Sequence, residues 1–298
     1  MTIDKLKHWS LAVPAILSLT LTSCSQPTVK DPPREASTSE ANLGPAFPAG
    51  KLIDLSYPFD EQTIFWPTEL GFRLERGPAG VTEKGYYYAA NRFSTAEHGG
   101  THIDAPIHFY KDQLTVDKIP LERFIGEGAL VDVAQQCESD PDYLVRIDDL
   151  KAWEAEHGRS LQETIVLLRT GFSRYWPDRK RYLGTEEHGP EAVAKLHFPG
   201  LDPEAARWLV EERAIKAVGI DTASIDRGQS KQFGSHVALC QRGVPAFENV
   251  AYLDRLPATG FTIIALPMKI AGGSGGPLRI VAIVPDGKVS RPPARGAP

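Results

Sequence analysis

The chain has 298 residues, 42% hydrophobic and 24% charged, with a formal net charge of -5. That is room for one large domain or two small ones, on an ordinary globular composition. There is no basic excess and no basic tract, which argues against a nucleic-acid partner.

Residues 1–24 read as a targeting segment. Lys5 and Lys7 precede an apolar run from Leu11 to Leu21 that is too short to cross a bilayer as a helix. The run ends in Leu21-Thr22-Ser23-Cys24, which resembles the lipobox of bacterial lipoproteins. That resemblance implies lipidation at Cys24 and a cell-envelope location, anchored on the extracytoplasmic face; an ordinary secretory signal is the alternative. Residues 25–50, rich in Pro, Ser, Ala and Glu, read as a flexible linker. Cys137 and Cys240 remain, and the sequence alone does not say whether they pair.

The folded domain is expected over 51–298. Leu52 to Leu55 is a short strand candidate, followed by Phe65-Trp66-Pro67. Residues 85–95 (GYYYAANRFST) read as a strand leading into the next segment. That segment is Glu97-His98-Gly99-Gly100-Thr101-His102-Ile103-Asp104-Ala105-Pro106-Ile107-His108-Phe109, which holds three of the eight histidines. Gly99, Gly100 and Pro106 are poor tenants of a helix interior, so this is not the helical two-histidine zinc motif. If it runs extended from Thr101, His102, Asp104 and His108 share one face, and Ile103, Ile107 and Phe109 the other. The diglycine then lets His98 fold into the same pocket. Imidazole and carboxylate together are ligands of zinc, manganese or iron. His98, His102 and Asp104 are the candidate metal ligands, which leaves His108 for proton transfer.

Further along, 128–133 is a buried strand and 148–158 an amphipathic helix with a glycine stop. Residues 164–171 form a central strand, and 172–200 read as a surface excursion bearing His188 and His197. Asp202-Pro203 caps a helix through about Arg213. A buried strand, 217–221, runs into Asp226, where Asp221 and Asp226 read as turn caps. His236 precedes an apolar stretch, and Glu248 follows Ala246-Phe247 where burial is costly unless the carboxylate binds a cation. An ordinary polar contact is the alternative for both. Two late strands, 261–267 and 278–284, flank a glycine-rich loop at 271–277. It lacks the lysine of a P-loop, and no helix follows it. Strands alternating with helices, several of them continuously apolar, give an α/β fold class.

The string His98-Gly-Gly-Thr-His102-Ile-Asp104-Ala-Pro-Ile-His108-Phe resembles the signature of the metal-dependent cyclase family, which includes bacterial kynurenine formamidases and isatin hydrolases. The resemblance runs from about Leu52 to Val284, and it implies that the polar residues of 221–226 lie near the site, although turn capping explains Asp221 and Asp226 equally well. It implies a single compact α/β domain of the swivelling β/β/α type and a homo-oligomer, dimer or larger. It implies that His236 and Glu248 complete a site for one or two divalent ions, zinc or manganese, and that Trp66, with Phe65, faces the substrate ring. A core tryptophan is the alternative for Trp66. The expected reaction is hydrolysis of a C–N bond in a small aryl amide or lactam. A divalent ion lowers the pKa of its bound water from about 15.7 to about 7, giving a nucleophile for the carbonyl carbon, with His108 moving the proton. The competing expectation is a metal- or solute-binding envelope lipoprotein without turnover, which would have no use for His108.

Overall fold

The structure, a computed structural model, describes residues 50–287. The leader with Cys24 and the linker up to residue 49 lie outside the described residues.

Eight strands make the central sheet: β1 (Lys51–Asp54), β2 (His102–Asp104), β3 (Ile125–Asp132), β4 (Ile165–Arg169), β5 (Ala217–Ile220), β6 (Ala246–Glu248), β7 (Phe261–Pro267) and β8 (Gly275–Val284). Their order is β1-β8-β7-β3-β4-β5-β6-β2, and β2 pairs back onto β8, so seven strands close into a barrel with β1 outside it. The run β3-β4-β5-β6 is parallel, and every other pairing is antiparallel.

Strand composition follows from burial on both faces. In β4, Ile165 and Leu167 point into the barrel with Ile103, Phe247, Ile263 and Ile280. Val166 and Leu168 point outward beneath the helices, and all four are fully buried. The outer layer is α1 (Ile147–His157), α2 (Pro203–Glu212) and α3 (Gly234–Gln241). Gly158 ends α1 in the left-handed region, φ 58°. The Asp202 carboxylate accepts from the Glu204 and Ala205 amides at the start of α2. These two helices sit where their capping residues predict. Cys137 and Cys240 are both buried and not in a disulfide.

Two expectations fail. Residues 85–95 do not form one strand of the main sheet. They give Tyr87–Ala89, paired with Ala79–Val81, and Arg92–Ser94, paired with Arg73–Glu75, an exposed ribbon apart from the barrel. Its aromatic residues raise strand propensity without saying which sheet takes the strand. Residues 172–200 are not a mere surface excursion either: Tyr182, Leu183, Leu196 and Phe198 are fully buried in the helix-side core. The charges between them hid a spacing too irregular to register as a helix or strand.

Candidate metal centre and pocket

Barrel closure builds the site. β2 is only three residues long, flanked by β6 on one side and the start of β8 on the other. Ile103 points into the barrel, so His102 and Asp104 share the opposite face. The antiparallel register sets Glu248 directly across from His102, with Nε2 of His102 3.4 Å from the Glu248 carboxylate.

After Asp104 the extended run stops. Pro106–His108 is a single 3-10 turn with proline at its start, a position that tolerates a residue without an N–H. The turn brings His108 over His98, the two rings stacked 3.8 Å apart and 16° from parallel. His108 does join His102 and Asp104, but through this turn rather than strand alternation. The same turn corrects the placement of Phe109 on the opposite face: its ring stacks on His236 at 4.3 Å and lines the pocket.

The diglycine is required by space as well as by conformation. Gly100 has φ 57°, and a Cβ on Gly99 would fall 2.0 Å from the Phe65 ring. Asn249 donates to the Gly100 carbonyl at 2.7 Å and accepts from the buried Tyr182 hydroxyl at 2.9 Å, so the supposed excursion holds the turn in place. Gly275 matters in the same way, since a Cβ there would lie 2.5 Å from the His98 ring.

His236 enters from the first turn of α3. Its Nε2 lies 2.8 Å from Asp104 Oδ2 and 3.2 Å from Glu248 Oε1. Asp104 Oδ1 lies 2.6 Å from His98 Nδ1 and 3.3 Å from His102 Nε2. One carboxylate therefore touches three imidazoles. The donor atoms fall into two groups, His98–Asp104–His108 and His102–Asp104–Glu248, with Asp104 common to both. His102, Asp104, His236 and Glu248 are each at most 4% exposed.

Electrostatics show what the cluster lacks. Two carboxylates, Asp104 and Glu248, are buried together, and among the described residues no lysine or arginine lines the pocket. Burial, and then the Asp104 charge, raise the Glu248 carboxyl above its ordinary value. Burial opposes a charge on His236, yet hydrogen bonds to Asp104, Asp226 and Glu248 outweigh it and raise that imidazole well above normal. Asp104 is held well below the usual carboxylate range: burial pushes it up, but the three imidazoles prevail. Burial pulls His108 down to about 4 against the opposing Asp104 charge. Imidazole nitrogens and two buried carboxylates converging within ligand reach of one another fit a divalent cation.

Trp66 and Phe65 line a cavity of about 200 Å³ with Ile64, Phe109, Phe233 and the metal-centre side chains. Trp66 is half-buried there, edge-on to Phe198. Phe65 is 4% exposed and packs behind Gly99, so it acts more as backing than as wall. His157, His188 and His197 stay outside the pocket; His197 meets Asp142 at the surface.

Sequence reasoning missed Phe109, Phe233 and Ser274 as contributors, and left Asp226 open between a turn cap and a place near the site. Ser274 Oγ lies 3.0 Å from His98 Nε2 and donates to Glu97 at 2.6 Å. Asp226, read as a turn cap, lies 2.7 Å from His236 Nδ1. Asp221 matches its structural reading, accepting from the Thr170 and Gly171 amides and from the Thr170 and Ser173 hydroxyls.

Comparison with known proteins agrees with this geometry. A family model described as "Putative cyclase" matches residues 53–227. The isatin hydrolase of Roseibium aggregatum is 34% identical over 210 residues, covering 67% of this chain and 77% of that protein. The kynurenine formamidase of Bacillus cereus is 28% identical over 229 residues, covering 77% and 95%. Isatin hydrolase A from Labrenzia aggregata, solved with benzyl benzoate bound, superposes with a TM-score of 0.71 at 33% identity, covering 79% of this chain and 94% of that one.

Proposed function

The chain belongs to the cyclase family, and from that premise we propose that its substrate is a small aryl amide or lactam whose ring lies against Trp66. The protein is a metal-dependent hydrolase of non-peptide C–N bonds. The observation that carries the substrate reading is an apolar, aromatic-walled cavity ending on the buried His–Asp–Glu cluster. At about 200 Å³ it is smaller than the roughly 300–1,000 Å³ typical of drug-sized ligand pockets. A formylated aniline or an isatin-like bicycle suits it, as the names of the two relatives suggest.

In this reading His98, His102, Asp104, His236 and Glu248 hold the ion or ions. Asp104 is common to both donor groups, so it would serve whether one ion binds or two. Zinc and manganese both suit the donors. When bound, a divalent cation supplies an activated water and polarises the carbonyl. His108, stacked on His98 at the edge of the cluster, takes the proton released as water adds to the carbonyl carbon. It returns that proton to the nitrogen as the C–N bond breaks, leaving an amine and a carboxylic acid that loses its own proton to solvent. Phe109, Phe233 and Trp66 orient the ring and exclude water.

The test is metal analysis of the purified protein with a panel of formanilides, isatin and aliphatic formamides. Chelation should abolish hydrolysis of the aryl substrates, and zinc or manganese should restore it. Trp66→Ala should raise KM for aryl substrates roughly two- to tenfold, the scale of an aromatic contact, with kcat kept and aliphatic formamides unaffected. Metal-replete protein that turns over no aryl amide or lactam would refute the reading.

Two further proposals concern assembly and place. The ribbon of residues 73–94 exposes Val81, Tyr86, Tyr87, Tyr88 and Phe93, and a lone two-stranded ribbon is marginal in water. That supports a homo-oligomer, to be checked by sedimentation of wild type against Tyr87→Ser. The lipobox-like segment ending at Cys24 supports an envelope anchor; labelled fatty acid incorporated by wild type and equally by Cys24→Ala would exclude it.

A further inference from the structure

We propose that Asp226 is the positioning residue of the metal centre, fixing the tautomer and ring plane of His236; this rests on His236 being a ligand. Asp226 is 2% exposed. Its Oδ2 accepts from the backbone N–H of His236 at 3.1 Å and lies 2.7 Å from Nδ1 of the same ring. Its Oδ1 accepts from the Ser235 amide at 3.1 Å and from the Ser230 hydroxyl at 3.4 Å. A single carboxylate thus grips both the backbone and the imidazole of one residue, leaving the ring no free torsion. Phe109, stacked on the ring, blocks rotation from the other side.

The chemistry follows from what each nitrogen meets. An ionised carboxylate only accepts, so Nδ1 carries the hydrogen. In the neutral ring that a cation requires, the lone pair is then on Nε2, which faces Asp104 and Glu248. The neighbouring residue does the matching task for the other late ligand, as the Ile225 amide donates to Glu248 Oε1 at 2.7 Å. The corner after β5 therefore sets both donors that arrive from the second half of the chain. That gives residues 225–226 a purpose the turn itself does not demand.

Asp226→Asn keeps the shape but has one oxygen where Oδ1 and Oδ2 each accept, so an N–H faces either the His236 ring and amide or the Ser235 amide. In the intact protein, zinc affinity measured by competition with a chromophoric chelator should fall about 10- to 100-fold, and the cobalt-substituted protein should show a changed visible spectrum. The metal-free protein should keep its circular dichroism, and the changed cobalt spectrum separates positioning from general support. A lowered melting temperature with unchanged affinity and cobalt spectrum would overturn the proposal. Should the Asn variant fail to fold, Asp226→Glu, with its carboxylate displaced by one methylene, should bind zinc more weakly than wild type; wild-type affinity there overturns it too. His236→Ala is the control. If it leaves affinity and stoichiometry intact, the ligand reading beneath the proposal fails instead.

Discussion

Replacing Asp104 by Asn lowers hydrolysis by more than about a thousandfold, roughly 4 kcal/mol of transition-state stabilisation, and removes bound divalent ion. The expectation comes from position rather than charge alone. One oxygen of Asp104 faces His98 and His102, the other faces His236, and all three contacts lie between 2.6 and 3.3 Å. An amide offers one acceptor and one donor, so either orientation presents an N–H to a side that needs an oxygen. Both donor groups lose their shared member at once. Backbone pairing of residue 104 with Ala246 and Gly275 does not involve the side chain, so the barrel should still close. Metal content and kcat/KM on an aryl amide are the measurements. An Asn variant holding its full complement of metal at near wild-type rate would remove Asp104 from the centre.

His108→Ala gives the second large effect, with a different signature. The ion should remain while hydrolysis falls about 10²- to 10⁴-fold, the usual worth of a positioned proton carrier. The ring stacks on His98 without taking part in the Asp104 hydrogen bonds, so its removal opens space rather than uncovering a charge. Added imidazole should recover part of the rate. The competing result is loss of one ion together with activity. His108 has a ring nitrogen within ligand reach of the His98 and Asp104 donors, and that outcome would make it a ligand rather than a carrier of protons.

Much of this centre was legible in the chain. The spacing of His98, His102, Asp104 and His108 around a diglycine and a proline singled out four side chains that the fold brings together, and argued against a helical two-histidine motif. Caps at Asp202 and Gly158 gave two helices nearly to the residue. What local reasoning could not supply was which strand pairs with which. The aromatic run at 85–95 has the composition of a strand and became an exposed ribbon. Phe109 was assigned by alternation to the wrong face because the extended run ends five residues earlier, at Asp104. Tyr182 and Phe198 were lost among charges and proved to be core.

The sequence by itself determined the donor types, the turns that carry them and the continuously apolar strands of a sheet buried on both faces. Only the tertiary structure decided that Glu248 stands opposite His102, that His236 reaches Asp104 from a helix end, and that Asp226 is more than a turn cap. The reason is physical. Alternation and capping are set by neighbours along the chain, whereas strand register and barrel closure are set by hydrogen bonds between residues more than a hundred positions apart. Two carboxylates can be buried side by side only once that closure surrounds them with imidazoles and leaves room for a cation.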